Sequence, residues 1–128
     1  MLDFKLGNIE TKFADLIWDN EPIQSGELVK LCNEQLNWKK STTYTVLKKL
    51  SEKGLFKNEN GKITSLISKK EYFSMQSESF INDTFNGSLP AFIASFTSRK
   101  ELSNEEIDEI QNMINSFRKE DYYDYILF

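Results

Sequence analysis

The chain of 128 residues contains no histidine, a single cysteine and only two prolines. Without histidine it cannot form a histidine-based catalytic triad, an imidazole proton shuttle or a histidine metal site. The one thiol, Cys32, can form neither an internal disulfide nor a thiolate metal site, and it fits a reducing cytoplasm. No P-loop or G-x-G-x-x-G motif is present, and no apolar run approaches the ~18 residues of a membrane-spanning helix. We therefore expect a cytoplasmic protein that is not an enzyme, holds no cofactor or metal, and does not bind a membrane.

Charge is distributed unevenly along the chain. The formal net charge is −4, from 16 basic and 20 acidic residues. Residues 39–70 carry nine lysines against two glutamates, a local charge of +7, whereas residues 71–128 carry a local charge of −7. This asymmetry predicts two regions with different tasks, a basic head (residues 1–70) and an acidic tail (residues 71–128). A polyanion would meet the field of the head and not the average charge of the chain.

The head contains three helical patterns in succession. Apolar residues recur at helical spacing within residues 9–18, and a second helix is predicted after Ser25. Cys32 lies on the apolar stripe of that second helix, which favours a core position over a redox sensor. Either Ser41 or Thr42 is predicted to cap the third helix, and Gly54 follows its end.

A β-hairpin is predicted after the third helix. Residues 55–57 and 62–67 are β-prone, and the intervening Asn58-Glu59-Asn60-Gly61 supplies residues that accept positive φ. The order helix, turn, helix, hairpin predicts a winged helix-turn-helix in a mainly α chain. The tip of this wing is interpreted either as a phosphate contact through Lys62 or as an ordinary solvated turn.

Hydroxyls and lysines cluster on the third helix. Hydroxyls at the start of a recognition helix bond phosphates or base edges, and lysines neutralise the DNA backbone. The alternative is a capped surface helix with solvated lysines. The helix order and the local charge favour double-stranded DNA as the partner. The candidate DNA-binding residues are Lys39, Lys40, Ser41, Thr42, Thr43, Tyr44, Thr45, Lys48, Lys49 and Lys62.

The tail reads as three further helices. The first runs from Lys69 to a break at Asn86-Gly87, the second follows Ser88, and Ser103 opens the third with a capping-box sequence. Three short helices cannot bury such a dense apolar stripe alone, so we expect the tail to pack against a second copy; packing on the chain's own head is the alternative. The candidate dimerisation residues are Phe80, Phe85, Leu89, Phe92, Ile93, Phe96, Ile107, Ile110 and Ile114.

Several segments taken in order resemble the penicillinase-repressor family, the BlaI/MecI-type winged-helix regulators of β-lactamase and methicillin resistance. The resemblance covers roughly residues 9–117. Its segments are Trp18, Leu-Asn-Trp at 36–38, Ser-Thr-x-x-Thr-Val-Leu at 41–47, Lys-Lys-Leu-x-x-Lys-Gly-Leu at 48–55, Gly-Ser-Leu-x-x-Phe-Ile-x-x-Phe at 87–96 and Leu-Ser-x-Glu-Glu-Ile at 102–107.

The resemblance implies a homodimeric repressor whose winged helix binds operator DNA and whose helical C-terminal part makes the dimer. It also implies a sensor or protease partner that relieves repression by cleaving the C-terminal part. The family's Asn-Phe cleavage bond corresponds here to Ser95-Phe96. Because serine replaces asparagine, we expect cleavage at this bond to be slow or absent.

Taken together, the sequence predicts a transcriptional repressor that binds palindromic operator DNA as a homodimer and controls antibiotic-resistance or stress genes. The second interpretation is a winged-helix protein–protein interaction module with little DNA affinity that works through its acidic, aromatic tail.

Overall fold

A computed structural model of the chain describes residues 5–118. It is mainly helical with one small sheet, which confirms the predicted class of a winged helix-turn-helix head followed by a helical tail; the predicted tail from residue 119 onward lies outside the described residues. The elements are α1 (Asn8–Asn20), β1 (Ile23–Gln24), α2 (Ser25–Leu36), α3 (Lys40–Glu52), β2 (Phe56–Glu59), β3 (Lys62–Ser65), α4 (Lys69–Phe85), α5 (Leu89–Thr97) and α6 (Asn104–Asn115).

The wing is an antiparallel hairpin of β2 and β3, as predicted. Its turn consists of Asn60 and Gly61, whose φ angles of 52° and 87° are those of a tight hairpin turn. The sheet has a third strand that the sequence did not indicate. Strand β1 pairs with β3 through Ile23 opposite Ile63, so the strand order is β1-β3-β2.

Capping chemistry explains where the tail helices begin. Ser68 and Ser103 each form a capping box with the glutamate three residues later, and Ser88 accepts a hydrogen bond from the backbone N–H of Ala91. These starts confirm the prediction. The head helices differ from it, because α2 begins at Ser25 itself and α3 begins at Lys40, with Lys39 as an N-cap that makes no side-chain hydrogen bond.

The apolar core lies inside the head. All the buried residues among the described ones fall between Leu6 and Tyr72. Phe13 is central, with Trp38 stacked on it at 5.4 Å between ring centroids and Phe56 edge-on at 6.4 Å. The turn before α3 is thus fixed by an aromatic side chain, which orients α3 relative to α1.

Helix α4 is joined directly to this core. The Tyr72 hydroxyl accepts a hydrogen bond from the backbone N–H of Leu6 at 2.7 Å, and the Trp18 indole N–H donates to the Ile67 carbonyl at 3.0 Å. Tyr72 lies beyond the predicted boundary at residue 70 but is a core residue of the head. No helix within residues 5–118 has both the length and the apolar character needed to cross a lipid bilayer.

Candidate nucleic-acid interface

Helix α3 presents one face to the core and the opposite face to solvent. Leu47 and Leu50 are buried beneath it. Four exposed side chains follow the spacing i, i+4, i+7, i+11 and therefore form one stripe on the outer face. They are Ser41, Thr45, Lys48 and Glu52. Because the core contacts fix the inner face, this outer stripe has a defined orientation.

Thr43 does not belong to the outer face, which corrects the prediction that it contacts DNA. Its side chain is 1% exposed and points toward Cys32 of α2. The reason is helical spacing, because Thr43 precedes the buried Leu47 and Leu50 by four and seven residues and so lies on the same inner face. Tyr44 is half-buried and packs against the core, so only its edge is available to a partner.

The hydroxyl of Thr45 is already committed as a donor. It donates to the Ser41 carbonyl at 2.8 Å within α3. A hydroxyl has one proton and two acceptor lone pairs, so Thr45 can still accept a hydrogen bond. In a DNA groove it would therefore suit an exocyclic amino group, which adenine and cytosine present in the major groove.

The first turn of α3 is strongly electropositive. Lys39 is the N-cap and Lys40 the first helical residue, with no acidic residue in the first turn and no side-chain cap. Lysines here add to the partial positive charge of the helix N-terminus and so destabilise the isolated helix. A phosphate bound at this position would offset the repulsion between the lysines and the helix N-terminus with its negative charge.

Lys49 is paired within the protein. Its ammonium lies 2.8 Å from Oε2 of Glu10, at the start of α1. The other carboxylate oxygen of Glu10 accepts the backbone N–H of Gly7 at 3.1 Å. The hydrogen bonds from Lys49 and then from Gly7 lower the pKa of Glu10 below its ordinary value, so this carboxylate is charged at neutral pH.

The wing is held close to the head. The backbone N–H of Ser25 donates to the Gly61 carbonyl at 2.7 Å, and the N–H of Gly61 donates to Oδ1 of Asn58 at 2.9 Å. Lys57 pairs with Glu59 at 2.6 Å, which lowers the pKa of Glu59. Lys62 is exposed beside this turn.

In the tail, four phenylalanines are brought together across α4 and α5. Phe80, Phe85 and Phe92 contact one another edge-to-face with centroid distances from 5.6 to 6.0 Å, and Phe96 lies 6.1 Å from Phe92. The cluster is not closed over, since Phe80 is 50% and Phe96 is 46% exposed. Leu89 and Ile93 of α5 are exposed as well.

The remaining predicted dimerisation residues lie on α6. Ile107, Ile110 and Ile114 line a shallow apolar groove of their own with Leu102, and all three isoleucines are exposed. Neither α5 nor α6 contains a buried residue. The tail therefore does not bury its apolar stripe against the chain's own head.

The Ser95–Phe96 bond lies within α5, and both side chains are exposed. The Ser95 carbonyl accepts a hydrogen bond from the Ser98 hydroxyl at 2.7 Å. Proteases bind extended substrates, so the end of α5 must unwind before this bond can be cut.

Sequence reasoning missed Glu10. Its contact with Lys49 joins residues 39 positions apart, so only the tertiary structure of the head brings them together. The sequence shows that Glu10 is acidic and lies near the start of a helix, but these two features do not indicate a contact with α3. Within residues 5–118, no group of three or more Cys, Asp or Glu side chains is arranged to hold a metal ion.

Comparison with known proteins identifies the family. A family model described as "Penicillinase repressor" matches residues 6–116. The penicillinase repressor of Bacillus licheniformis is 27% identical over 118 residues, which cover 89% of this chain and 92% of that protein. The methicillin resistance regulatory protein MecI of Staphylococcus aureus (strain Mu50) is 24% identical over 116 residues, covering 88% and 94%. The MecI protein of Mammaliicoccus sciuri is 23% identical over 116 residues, which again cover 88% of this chain and 94% of that protein. Because the family model spans most of the chain, the protein belongs to the penicillinase repressor family, a family of transcriptional repressors and not of enzymes.

Proposed function

We propose that the protein represses transcription by binding palindromic operator DNA as a homodimer. The observation that carries the proposal is the outer stripe of α3, where Ser41, Thr45 and Lys48 are exposed on a helix whose opposite face is fixed in the core. A helix presented in this way fits the major groove of B-DNA.

The residues divide into two kinds of contact. Lys39, Lys40 and Lys48 are suited to phosphates, because they carry charge at the start and along the edge of α3. Thr42 and Thr45 are suited to base edges, since they are short, exposed and polar. Lys62 beside the wing turn would reach the neighbouring backbone. Phosphate contacts supply affinity, and base contacts supply sequence preference.

The exposed apolar surface of the tail supports a two-fold assembly. A monomeric protein rarely leaves a contiguous apolar patch of this kind in water. The four-phenylalanine cluster and the α6 groove each expose apolar surface in the tail. A two-fold dimer bound to DNA places its two recognition helices on related half-sites, which is why the operator would be palindromic.

The regulated genes are inferred from the relatives. Two of them are called methicillin resistance regulatory proteins and one a penicillinase repressor, so we propose control of antibiotic-resistance or stress genes. A regulatory protease or sensor partner is part of this proposal. Because the operator is genomic DNA, the proposal also places the protein in the cytoplasm.

The proposal is tested by measuring binding to DNA fragments selected from the source genome. Lys48→Gln should weaken binding to every sequence and reduce the log–log salt slope by about 0.9, the value for one phosphate contact. Thr45→Ala should change the preferred sequence, at a cost of ~1–3 kcal/mol if one base contact is lost. Lys100→Gln removes an equal charge from the tail and serves as the matched control. Unchanged binding in both α3 variants would exclude α3 as the recognition helix.

The alternative function is a protein–protein interaction module. The exposed phenylalanines of the tail favour it as well as they favour a dimer. If the protein is such a module, its binding to a protein partner should be insensitive to salt. Selection from genomic DNA should then enrich no fragment above background. Recovery of a palindromic consensus from the selected fragments would reject it.

A further inference from the structure

Glu10 is an acidic side chain of α1 that forms an ion pair with α3. It belongs to the first turn of α1, yet its Oε2 lies 2.8 Å from the ammonium of Lys49 on α3. Its Oε1 accepts the N–H of Gly7, so both carboxylate oxygens are held. The carboxylate is 24% exposed and the lysine 56% exposed. The pair therefore lies at the protein surface, next to Lys48 of the outer stripe.

This pairing has a direct electrostatic consequence for a phosphate that approaches Lys49. The phosphate must either displace Glu10 or accept a second negative charge within a few ångströms. At a protein surface, like charges about 4 Å apart repel by ~4 kcal/mol before salt screening. Lys53, also near Glu10, contributes to the same local field, because its charge helps to lower the pKa of Glu10.

The fixed position of Glu10 distinguishes this pair from an ordinary surface contact. Its bond to Gly7 forms part of the start of α1, so the carboxylate cannot swing away without loss of a helix-capping interaction. Two further ion pairs of the head lie away from this contact. Lys57 pairs within the wing, and Lys69 pairs with Asp15.

We propose that Glu10 is a positioning residue that holds Lys49 against α1, withholds its charge from the DNA backbone and thereby weakens operator binding. The inference rests on the proposed DNA-binding function and assigns Glu10 a role in it. Lys48, one residue away, is exposed on the outer stripe and delivers its charge to DNA without this restraint.

The test is Glu10→Gln in the full-length chain, with binding measured by fluorescence anisotropy over a range of salt concentrations. Glutamine keeps an oxygen for the Gly7 N–H but removes the negative charge. We expect two- to fivefold tighter binding, the ratio that corresponds to the worth of a surface ion pair. We also expect the log–log salt slope to steepen by about 0.9, because one further lysine becomes available to phosphate. Glu78→Gln, which makes the same charge change on exposed α4, should leave both quantities unchanged.

A double-mutant cycle separates positioning of Lys49 from general repulsion. In a Lys49→Gln background, Glu10→Gln should no longer alter affinity or slope. An equal gain with and without Lys49 would overturn the proposal, as would the absence of any gain in the single variant. Failure of the DNA-binding function itself is distinguishable, because Lys48→Gln would then also have no effect.

Discussion

At the residue scale, Cys32 of α2 lies where the two helices of the helix-turn-helix pack on each other. Its thiol is fully buried, and the hydroxyl of Thr43 on α3 lies beside it. Burial raises the pKa of the Cys32 thiol, and this outweighs the lowering by the Thr43 hydrogen bond. Because the thiolate is the reactive form, the folded protein keeps this cysteine inert. The residue lies in the packing of α2 on α3, as its place on the apolar stripe of α2 predicted.

We predict that Cys32 of the folded protein does not react with a thiol reagent such as dithionitrobenzoate at pH 8. In denaturant, one thiol per chain should react at once, which provides the control. The rate in buffer should follow the rare opening of the head and rise with temperature. Rapid stoichiometric labelling of the native protein would contradict the buried position.

Thr43 illustrates at the same scale why the candidate site was only partly predictable. The hydroxyls and lysines of residues 39–49 were evident in the sequence, and most of them are exposed. The helix start was placed at Ser41 or Thr42, whereas α3 begins at Lys40. That difference does not decide which threonine faces inward, because the spacing of Thr43 from Leu47 and Leu50 puts it on their face wherever the helix begins. The prediction for Thr43 was wrong because it grouped Thr42, Thr43 and Thr45 by chemical type and not by position around the helix.

At the scale of elements, the wing depends on one turn conformation. Gly61 has φ of +87°, and an added Cβ would lie 3.6 Å from the Ser25 hydroxyl. Gly61→Ala should therefore lower the free energy of unfolding by about 1 kcal/mol, mainly from the left-handed backbone. Gly26→Ala is the matched control, because it lies in α2 with no atom within 4 Å of its Cβ. It should stabilise the protein by about 0.5 kcal/mol. Thermal melts would detect these shifts, and a loss of stability in both variants would refute the explanation.

The second prediction at this scale concerns α5 and the bond from Ser95 to Phe96. We expect no prompt cleavage at this bond when cells are exposed to a β-lactam, because serine occupies the position of the family's asparagine. Immunoblots of the tagged protein would show this as a persistent full-length band. Ser95→Asn is the matched variant, and it should acquire cleavage if the sensor partner is present. Rapid appearance of a fragment ending at Ser95 in the unmodified protein would contradict the prediction.

Elements that carry their own capping chemistry were predictable, and those that depend on a distant partner were not. Helices α4, α5 and α6 start at serines whose side chains cap them, so local sequence determines their starts. Strand β1 has two residues, too few for alternation to be recognisable, and it exists because Ile23 and Gln24 pair with β3. The Glu10–Lys49 contact likewise depends on a partner that is distant in the sequence.

At the scale of the whole molecule, residues 5–118 combine a closed apolar core in the head with exposed apolar side chains in the tail. The head buries its large side chains, whereas α6 leaves Ile107, Ile110 and Ile114 exposed. Burial of such side chains contributes ~1.5–3 kcal/mol each. We expect the tails of two copies to cover this surface in a dimer, which would link two heads and raise their effective concentration on DNA.

We predict that Ile110→Lys converts the protein to a monomer in sedimentation velocity experiments at micromolar concentration. Burial of an unpaired charge at the interface would oppose assembly. Asn112→Lys adds the same charge to an exposed polar position of α6 and should remain dimeric. The variant Ile110→Lys should also lose affinity for a full palindrome but not for a single half-site. A monomeric unmodified protein would refute the assembly.

The first turn of α4 belongs to the head core, and only residues 66–68 separate this helix from β3. Tyr72 and Trp18 fix its base, and its 17 residues extend for about 25 Å. In the proposed dimer, α4 acts as a rigid strut whose length and angular phase set the separation of the two recognition helices. Insertion of one residue into α4 would rotate the tail by about 100° and lengthen the strut by about 1.5 Å. In the proposed dimer, the preferred distance between operator half-sites would therefore depend on the number of residues in α4.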